Sequence, residues 1–215
     1  MGAFKIVLEI KRNVVNKLAT QKLLLLSTGG TIASVISEDG LTPGETGEDL
    51  LKMVGNLPYD ITVKDIMNLD SSNIQPEEWE KIAETIYKYR HDFDGIVVSH
   101  GTDTMAYTAS MMTFMLQNID IPVVFTGSQV PINVLLSDAP DNMKLAFAAA
   151  ASLQPGIYLA FDGKVMRGCR SVKVRTTAFN AFESVNFPPV AEVTSDGLEI
   201  KLPEQWQPRQ CILNT

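Results

Sequence analysis

Cysteine and histidine are scarce in this chain, with only Cys169 and Cys211 and only His91 and His100. Two thiols build no disulfide framework, and two imidazoles are too few for a His-based zinc site. No metal centre is expected, and the sparse thiols fit a reducing cytoplasm. Long apolar runs are also missing. No stretch approaches the ~18 residues of a membrane helix, so no membrane partner is expected. The first twenty residues interleave Lys5, Glu9, Lys11, Arg12 and Lys17 among apolar ones, which breaks any secretory signal. Met1-Gly2 opens like a myristoylation site, but Ile6 stands where Ser or Thr is required. Clustered basic residues are absent, and the net charge is −7. A face for nucleic acid is therefore excluded, because neutralising phosphates takes grouped Lys and Arg. Two catalytic signatures are missing as well. There is no Gly-x-Ser-x-Gly elbow, and no Gly-Lys-Ser or triply spaced glycine loop to cradle phosphate.

What the chain does have is enough apolar content for a substantial core: 45% apolar and 20% charged residues over 215 positions. Two stretches organise it. In KLLLLSTGGTIAS (22–34) an apolar run, long enough for one buried strand, stops at Thr28-Gly29-Gly30-Thr31. In DGIVVSHGTDTMAYTASMM (94–112) a second such strand runs into Gly101, then Thr102 and Asp103, then a helix. Glycines there let backbone N–H groups approach a ligand closely.

Other elements follow in order. A turn-rich stretch, Glu38 to Gly44, precedes a helix over Thr46–Val54 that Gly55-Asn56 ends. A strand over Ile61–Met67 leads into the polar cluster Asn68 to Asn73. Pro76 opens a helix whose Trp79, Ile82, Ala83, Ile86 and Tyr87 form one buried stripe, with Glu77, Glu78 and Glu80 at its positive end. Strands at 95–99, 122–126 and 156–161 alternate with helices at 104–117 and 138–151. Asp162-Gly163 signals a hairpin returning through Lys164–Met166. A strand near 171–174 and a short helix near 179–183 come next, and the Pro-rich stretch past Asn186 reads as a linker. The alternation predicts an α/β fold: an open, mostly parallel sheet with helices on both faces, in Rossmann- or flavodoxin-like layers.

In such sheets ligands bind at the carboxyl ends of the strands. Here those ends carry Thr28 and Thr31, Ser71 and Ser72, Thr102 and Asp103, and Ser128. A site of hydroxyls with one carboxylate suits a small zwitterion: the carboxylate takes an ammonium group, and hydroxyls and N–H groups take a carboxylate. A Thr nucleophile needs a proton acceptor, and Lys173 is the candidate base. Glycine-rich turns are also common structural punctuation, so these residues alone leave catalysis and plain architecture both open. His100, at the end of a buried strand, reads as a hydrogen-bonded structural residue. Met105, Met111, Met112 and Met115 read as packing, and Cys169 between Arg167 and Arg170 lacks the partners of a mechanism.

LLLLSTGGTIAS and DGIVVSHGTDTMAYTASMM together resemble the two signatures of the bacterial L-asparaginase family. IMNLDSSNIQPEEW (66–79), FTGSQVPI (125–132) and VKVRTTAFNAFESVNFP (172–188) resemble it too, in the same order, over roughly residues 20–200. The cytoplasmic, type I branch is the nearest in pattern. The resemblance implies hydrolysis of L-asparagine to L-aspartate and ammonia through an acyl-enzyme, without metal or cofactor. By position it makes Thr31 the nucleophile, and Thr102, Asp103 and Lys173 a second catalytic constellation. Ser71 and Ser72 then hold the substrate's α-carboxylate and ammonium, Asp103 also the ammonium, and Gly30, Gly101 and the Gly127-Ser128 turn approach the amide.

It further implies a homo-oligomer, dimer or tetramer, with sites between neighbouring protomers. The expected division is an N-terminal extension (1–20), the family's N-terminal α/β domain (21–190) and a linker-like tail (191–215), without the family's second domain. One departure stands out: Gly40-Leu41-Thr42 occupies a loop where many relatives carry a Tyr. Two other readings stand beside the asparaginase: a catalytically impaired module that binds aspartate or asparagine or associates with relatives, and an amidase component of a tRNA-dependent amidotransferase.

Overall fold

The computed structural model describes residues 21–37, 40–201 and 210–215. The extension 1–20 therefore lies outside the described residues, and so does the side chain of Leu41.

The first apolar run is strand β1 (Lys22–Gly29), whose four leucines are all fully buried. Full burial follows from cover on both faces, which parallel strands require. Leu23 and Leu25 enter one core and Leu24 and Leu26 the other, as the two-residue period of a strand dictates. A one-turn 3₁₀ helix (Thr31–Ala33) and a hairpin of β2 (Ser34–Ser37) and β3 (Gly40–Pro43) follow. Helix α1 (Gly47–Val54) starts in a capping box between Thr46 and Asp49 and ends at Gly55, where φ is 86°.

Strand β4 (Asp60–Leu69) forms one sheet edge, and α2 (Pro76–Tyr89), β5 (Gly95–Ser99) and α3 (Met105–Met115) follow. The two-residue β6 (Leu116–Gln117), then β7 (Pro122–Thr126), α4 (Ala139–Ser152), β8 (Gly156–Phe161) and β9 (Lys164–Arg167) continue the chain. After these come β10 (Ser171–Lys173), β11 (Phe182–Ser184), β12 (Ala191–Thr194), β13 (Gly197–Ile200) and β14 (Ile212–Leu213).

The main sheet has eight strands in the order β13-β12-β9-β8-β7-β5-β1-β4. β4, β1, β5, β7 and β8 are mutually parallel, while β9, β12 and β13 add antiparallel strands at the other edge. α1 and α4 cover one face and α2 and α3 the other. The fold class read from the sequence is the observed one. At the Asp162-Gly163 turn φ is 48° and 73°, the two positive values a tight hairpin demands.

Three local expectations differ from the structure. The expected helix near 179–183 is instead a loop entering β11, which pairs antiparallel with β10. Phe182 anchors that strand, packing 4.9 Å from the ring of Phe161, and the bond from Val174 N–H to Ala181 O closes the loop. The stretch from 191, expected as linker-like, carries the β12–β13 hairpin, because Val190 and Ala191 find a place in the core beside Val165. The helix expected to reach Gln117 stops at Met115, where β6 pairs with β14. Among the described residues no helix is long and apolar enough to cross a membrane.

Candidate active site

The site forms where the carboxyl ends of β1, β4 and β5 converge. Convergence needs glycine at two points. Gly30 has φ 82°, and a Cβ there would lie 2.4 Å from the Cα of Gly101. A Cβ on Gly101 would in turn lie 2.6 Å from Ser71 Oγ. Any side chain would push these strand ends apart. Thr28, two residues before Gly30, is buried and donates its hydroxyl to Ser99 O at 2.8 Å, stapling β1 to β5.

A cleft of about 90 Å³ opens there, lined by Gly30, Thr31, Ser34, Asp70, Ser71, Gly101, Thr102 and Asp103. Gly30, Thr31, Ser71, Gly101, Thr102 and Asp103, all expected from the sequence, thus meet in one place. Thr104 Oγ1 donates to Ser71 O at 2.7 Å, tying the entry of α3 to the end of β4.

Lys173 stands beside the cleft, on the small β10–β11 sheet outside the main one. Its ammonium donates to Thr102 Oγ1 at 2.9 Å and to Asp103 Oδ1 at 2.7 Å. The Lys173 side chain is 13% exposed and the Asp103 side chain 63%. The cation is therefore shielded, whereas Asp103 keeps an open flank for a second positive group.

Besides Lys173, two expected residues do not line the cleft. Ser72 is exposed, and both its N–H (2.9 Å) and its hydroxyl (2.8 Å) donate to Asp70 Oδ1. Ser128 is buried, and its hydroxyl donates to Val130 O at 2.6 Å within the turn after β7. Two residues that the sequence does not single out contribute instead. Asp70 brings a second carboxylate to the rim, and Ser34 donates to Gly30 O at 3.0 Å. Asp70 is visible in the sequence as part of the polar cluster ending β4, but its direction is not.

His100 is fully buried and its Nδ1 lies 2.7 Å from Gly101 O. Burial drives its pKa down to about 4, against a smaller opposing effect of that carbonyl, so the ring is neutral near pH 7. It packs edge-on against Phe125 at 6.1 Å and braces the strand end. A larger groove, about 930 Å³, runs beside α4 and β12–β13 and is lined by Leu136, Leu145, Phe179 and Leu198 among others. Size alone favours that groove as a binding site. The Lys–Thr–Asp pairing lies in the smaller cleft, and chemistry outweighs volume here.

A family model described as asparaginase, N-terminal, matches residues 22–206. An L-asparaginase of Thermococcus kodakarensis is 45% identical over 183 residues, which is 84% of this chain and 56% of that protein. L-asparaginase 1 of Escherichia coli is 41% identical over 174 residues, 77% of this chain and 51% of that protein. A component of the Glutamyl-tRNA(Gln) amidotransferase of Thermoplasma acidophilum is 37% identical over 182 residues, 80% of this chain and 44% of that protein. The solved thermostable L-asparaginase of Thermococcus kodakarensis superposes with a TM-score of 0.84 at 42% identity, over 90% of this chain and 60% of that one. The chain thus spans about half the length of the curated relatives it matches.

Proposed function

The chain belongs to the asparaginase family, and we propose that it hydrolyses L-asparagine to L-aspartate and ammonia. The observation that carries this reading is the bonded set Lys173–Thr102–Asp103 at the mouth of the cleft holding Thr31. Asp103 and Asp70 supply negative charge for the substrate ammonium, with Ser72 fixed against Asp70. The hydroxyl of Ser71 and the backbone at Gly30 and Gly101 face the rest of the substrate.

In the proposed reaction Thr31 Oγ attacks the side-chain amide carbon. The carbonyl oxygen takes up the negative charge, and backbone N–H groups stabilise it. As the C–N bond breaks, the hydroxyl proton ends on the leaving nitrogen and ammonia departs. Water then adds to the Thr31 ester, releasing aspartate and restoring the hydroxyl. In this proposal Thr102, paired with Lys173, passes protons to and from the reacting atoms.

The finer assignments belong to the same proposal: the cytoplasmic, type I branch, no cofactor, and a homo-oligomer. Oligomerisation is supported by α3, which carries no charged residue yet leaves Tyr107 67% and Phe114 59% exposed. A helix apolar on every side is ordinarily covered.

Similarity to a component of a tRNA-linked amidotransferase favours one other reading, in which the chain supplies ammonia to a partner enzyme. One experiment addresses both: ammonia release from L-asparagine by the purified 215-residue chain, beside Thr31→Ala. Release without partner or tRNA, abolished by the substitution, is the expected result. Release undiminished in Thr31→Ala removes Thr31 as nucleophile. A folded chain that binds asparagine without releasing ammonia is the binding module instead.

A further inference from the structure

Gln129 lies outside the cleft, yet every polar atom of its side chain is engaged. Its Nε2 donates to Thr176 O at 2.8 Å and to Ala178 O at 3.0 Å. Carbonyls only accept, so these two partners dictate which end of the amide faces them. Oε1 must then face Thr102, whose Oγ1 lies at 3.1 Å. An amide oxygen has no proton to give, so the single hydroxyl proton of Thr102 points at Gln129. Lys173 has only donors, and its ammonium occupies a lone pair of the same hydroxyl. Gln129 thereby determines how Thr102 is presented to Lys173.

The backbone of Gln129 is clamped with equal care. Both oxygens of Asp138 accept from Gln129 N–H, at 3.1 and 3.0 Å, and Asp138 Oδ1 accepts from Val130 N–H at 3.1 Å. Asn142 Nδ2 donates to Asp138 Oδ2 at 3.1 Å and to Gly127 O at 3.0 Å, while Asn142 Oδ1 accepts from Asp162 N–H at 2.9 Å. The turn after β7 is thus bolted to α4 and to the end of β8. From that rigid base the Gln129 amide reaches in two directions: to the Thr102 hydroxyl and to the loop that follows Lys173. β10 and β11 lie outside the main sheet, and this bracket ties them to it.

We propose that Gln129 is a positioning residue: it orients the Thr102 hydroxyl and docks the Lys173-bearing hairpin against it. Its kinetic consequence rests on the asparaginase reading above, whereas its structural content does not. The test is steady-state ammonia release by Gln129→Met, which keeps the length and apolar stem and removes donor and acceptor together. The expected result is a fall in kcat of about tenfold with KM within about twofold, as for a lost hydrogen bond acting after binding. Wild-type kcat, or a rise in KM alone, overturns the proposal.

A second measurement needs no activity. In the ¹⁵N,¹³C-labelled chain, the Gln129 side-chain amide resonance, assigned through bonds to its own backbone in the wild-type protein, is expected to shift in Thr102→Val. No shift overturns the proposal even if Gln129→Met fails to fold. If the wild-type chain releases no ammonia but the resonance shifts, the asparaginase reading fails and the positioning role stands.

Discussion

The candidate site joins two regions built in opposite ways. Thr31, Ser71, Thr102 and Asp103 sit on the ends of β1, β4 and β5, within the parallel half of the sheet. Strands β1 and β5 behind them are apolar runs buried to zero exposure, Leu23–Leu26 and Ile96–Val98. Lys173 arrives from the other region, a three-residue strand in a two-stranded sheet, with Val172 in the strand and Val174 just after it exposed. The first region is rigid through packing. The second is held by directional bonds: Lys173 to Thr102 and Asp103, Gln129 to Thr176 and Ala178. The proposed reaction draws on both, with Thr31 from the packed region and Lys173 from the bonded one.

Short of removing Thr31 itself, breaking the hairpin's contribution has the largest expected effect on rate and little on folding. Lys173→Met removes the group proposed to assist Thr102 in proton transfer and, on the asparaginase reading, is expected to lower kcat for asparagine by about 10²–10⁴-fold. The melting temperature should stay close to wild type, since one side chain of a peripheral sheet is altered. Activity within about threefold of wild type, less than half a decade and well short of a general acid–base contribution, would mean that Lys173 is only a surface brace.

The parallel half should respond the other way. Leu25→Ala deletes a fully buried side chain between β4 and β5 and is expected to cost about 2–5 kcal/mol of stability in denaturant titration. At temperatures where the variant remains folded, kcat should change little. A cost under about 1 kcal/mol would show a core able to collapse around the gap.

A probe that leaves the covalent chain intact is pH. His100 has its folded pKa lowered to about 4 from 6.5, so below 6.5 the unfolded chain binds a proton that the folded chain refuses. Its contribution to stability is complete above pH 6.5 and falls on acidification towards pH 4, by about 1.4 kcal/mol per unit at most. His100→Asn should flatten this part of the curve. Equal pH slopes for the two proteins would rule His100 out as the source.

How much of this is legible in the sequence differs between the two regions for the same physical reason. In the parallel half the sequence carries its own punctuation: apolar runs, then Gly with Thr or Asp, then helical spacing. Strands, helices and both glycine-bearing loops are readable there close to their observed bounds. The loop near 179–183 misleads because Ala181 and Phe182 suit a helix as well as a strand. The choice is made by Phe161, a contact 21 residues away in sequence from Phe182. The β12–β13 hairpin is hidden behind prolines for a similar reason, since its place depends on an edge that only the folded β9 offers.

In the cleft, sequence alone determined which strand ends would carry hydroxyls and carboxylates, because that depends on local order along the chain. It did not determine where those groups would point. The tertiary structure turned Ser128 towards its own turn, set Ser72 against Asp70, brought Asp70 and Ser34 to the cleft and placed Gln129 on Thr102. Direction is decided by which donors and acceptors lie within about 3 Å once the chain has folded, and for Thr102 and Gln129 those partners are remote in sequence.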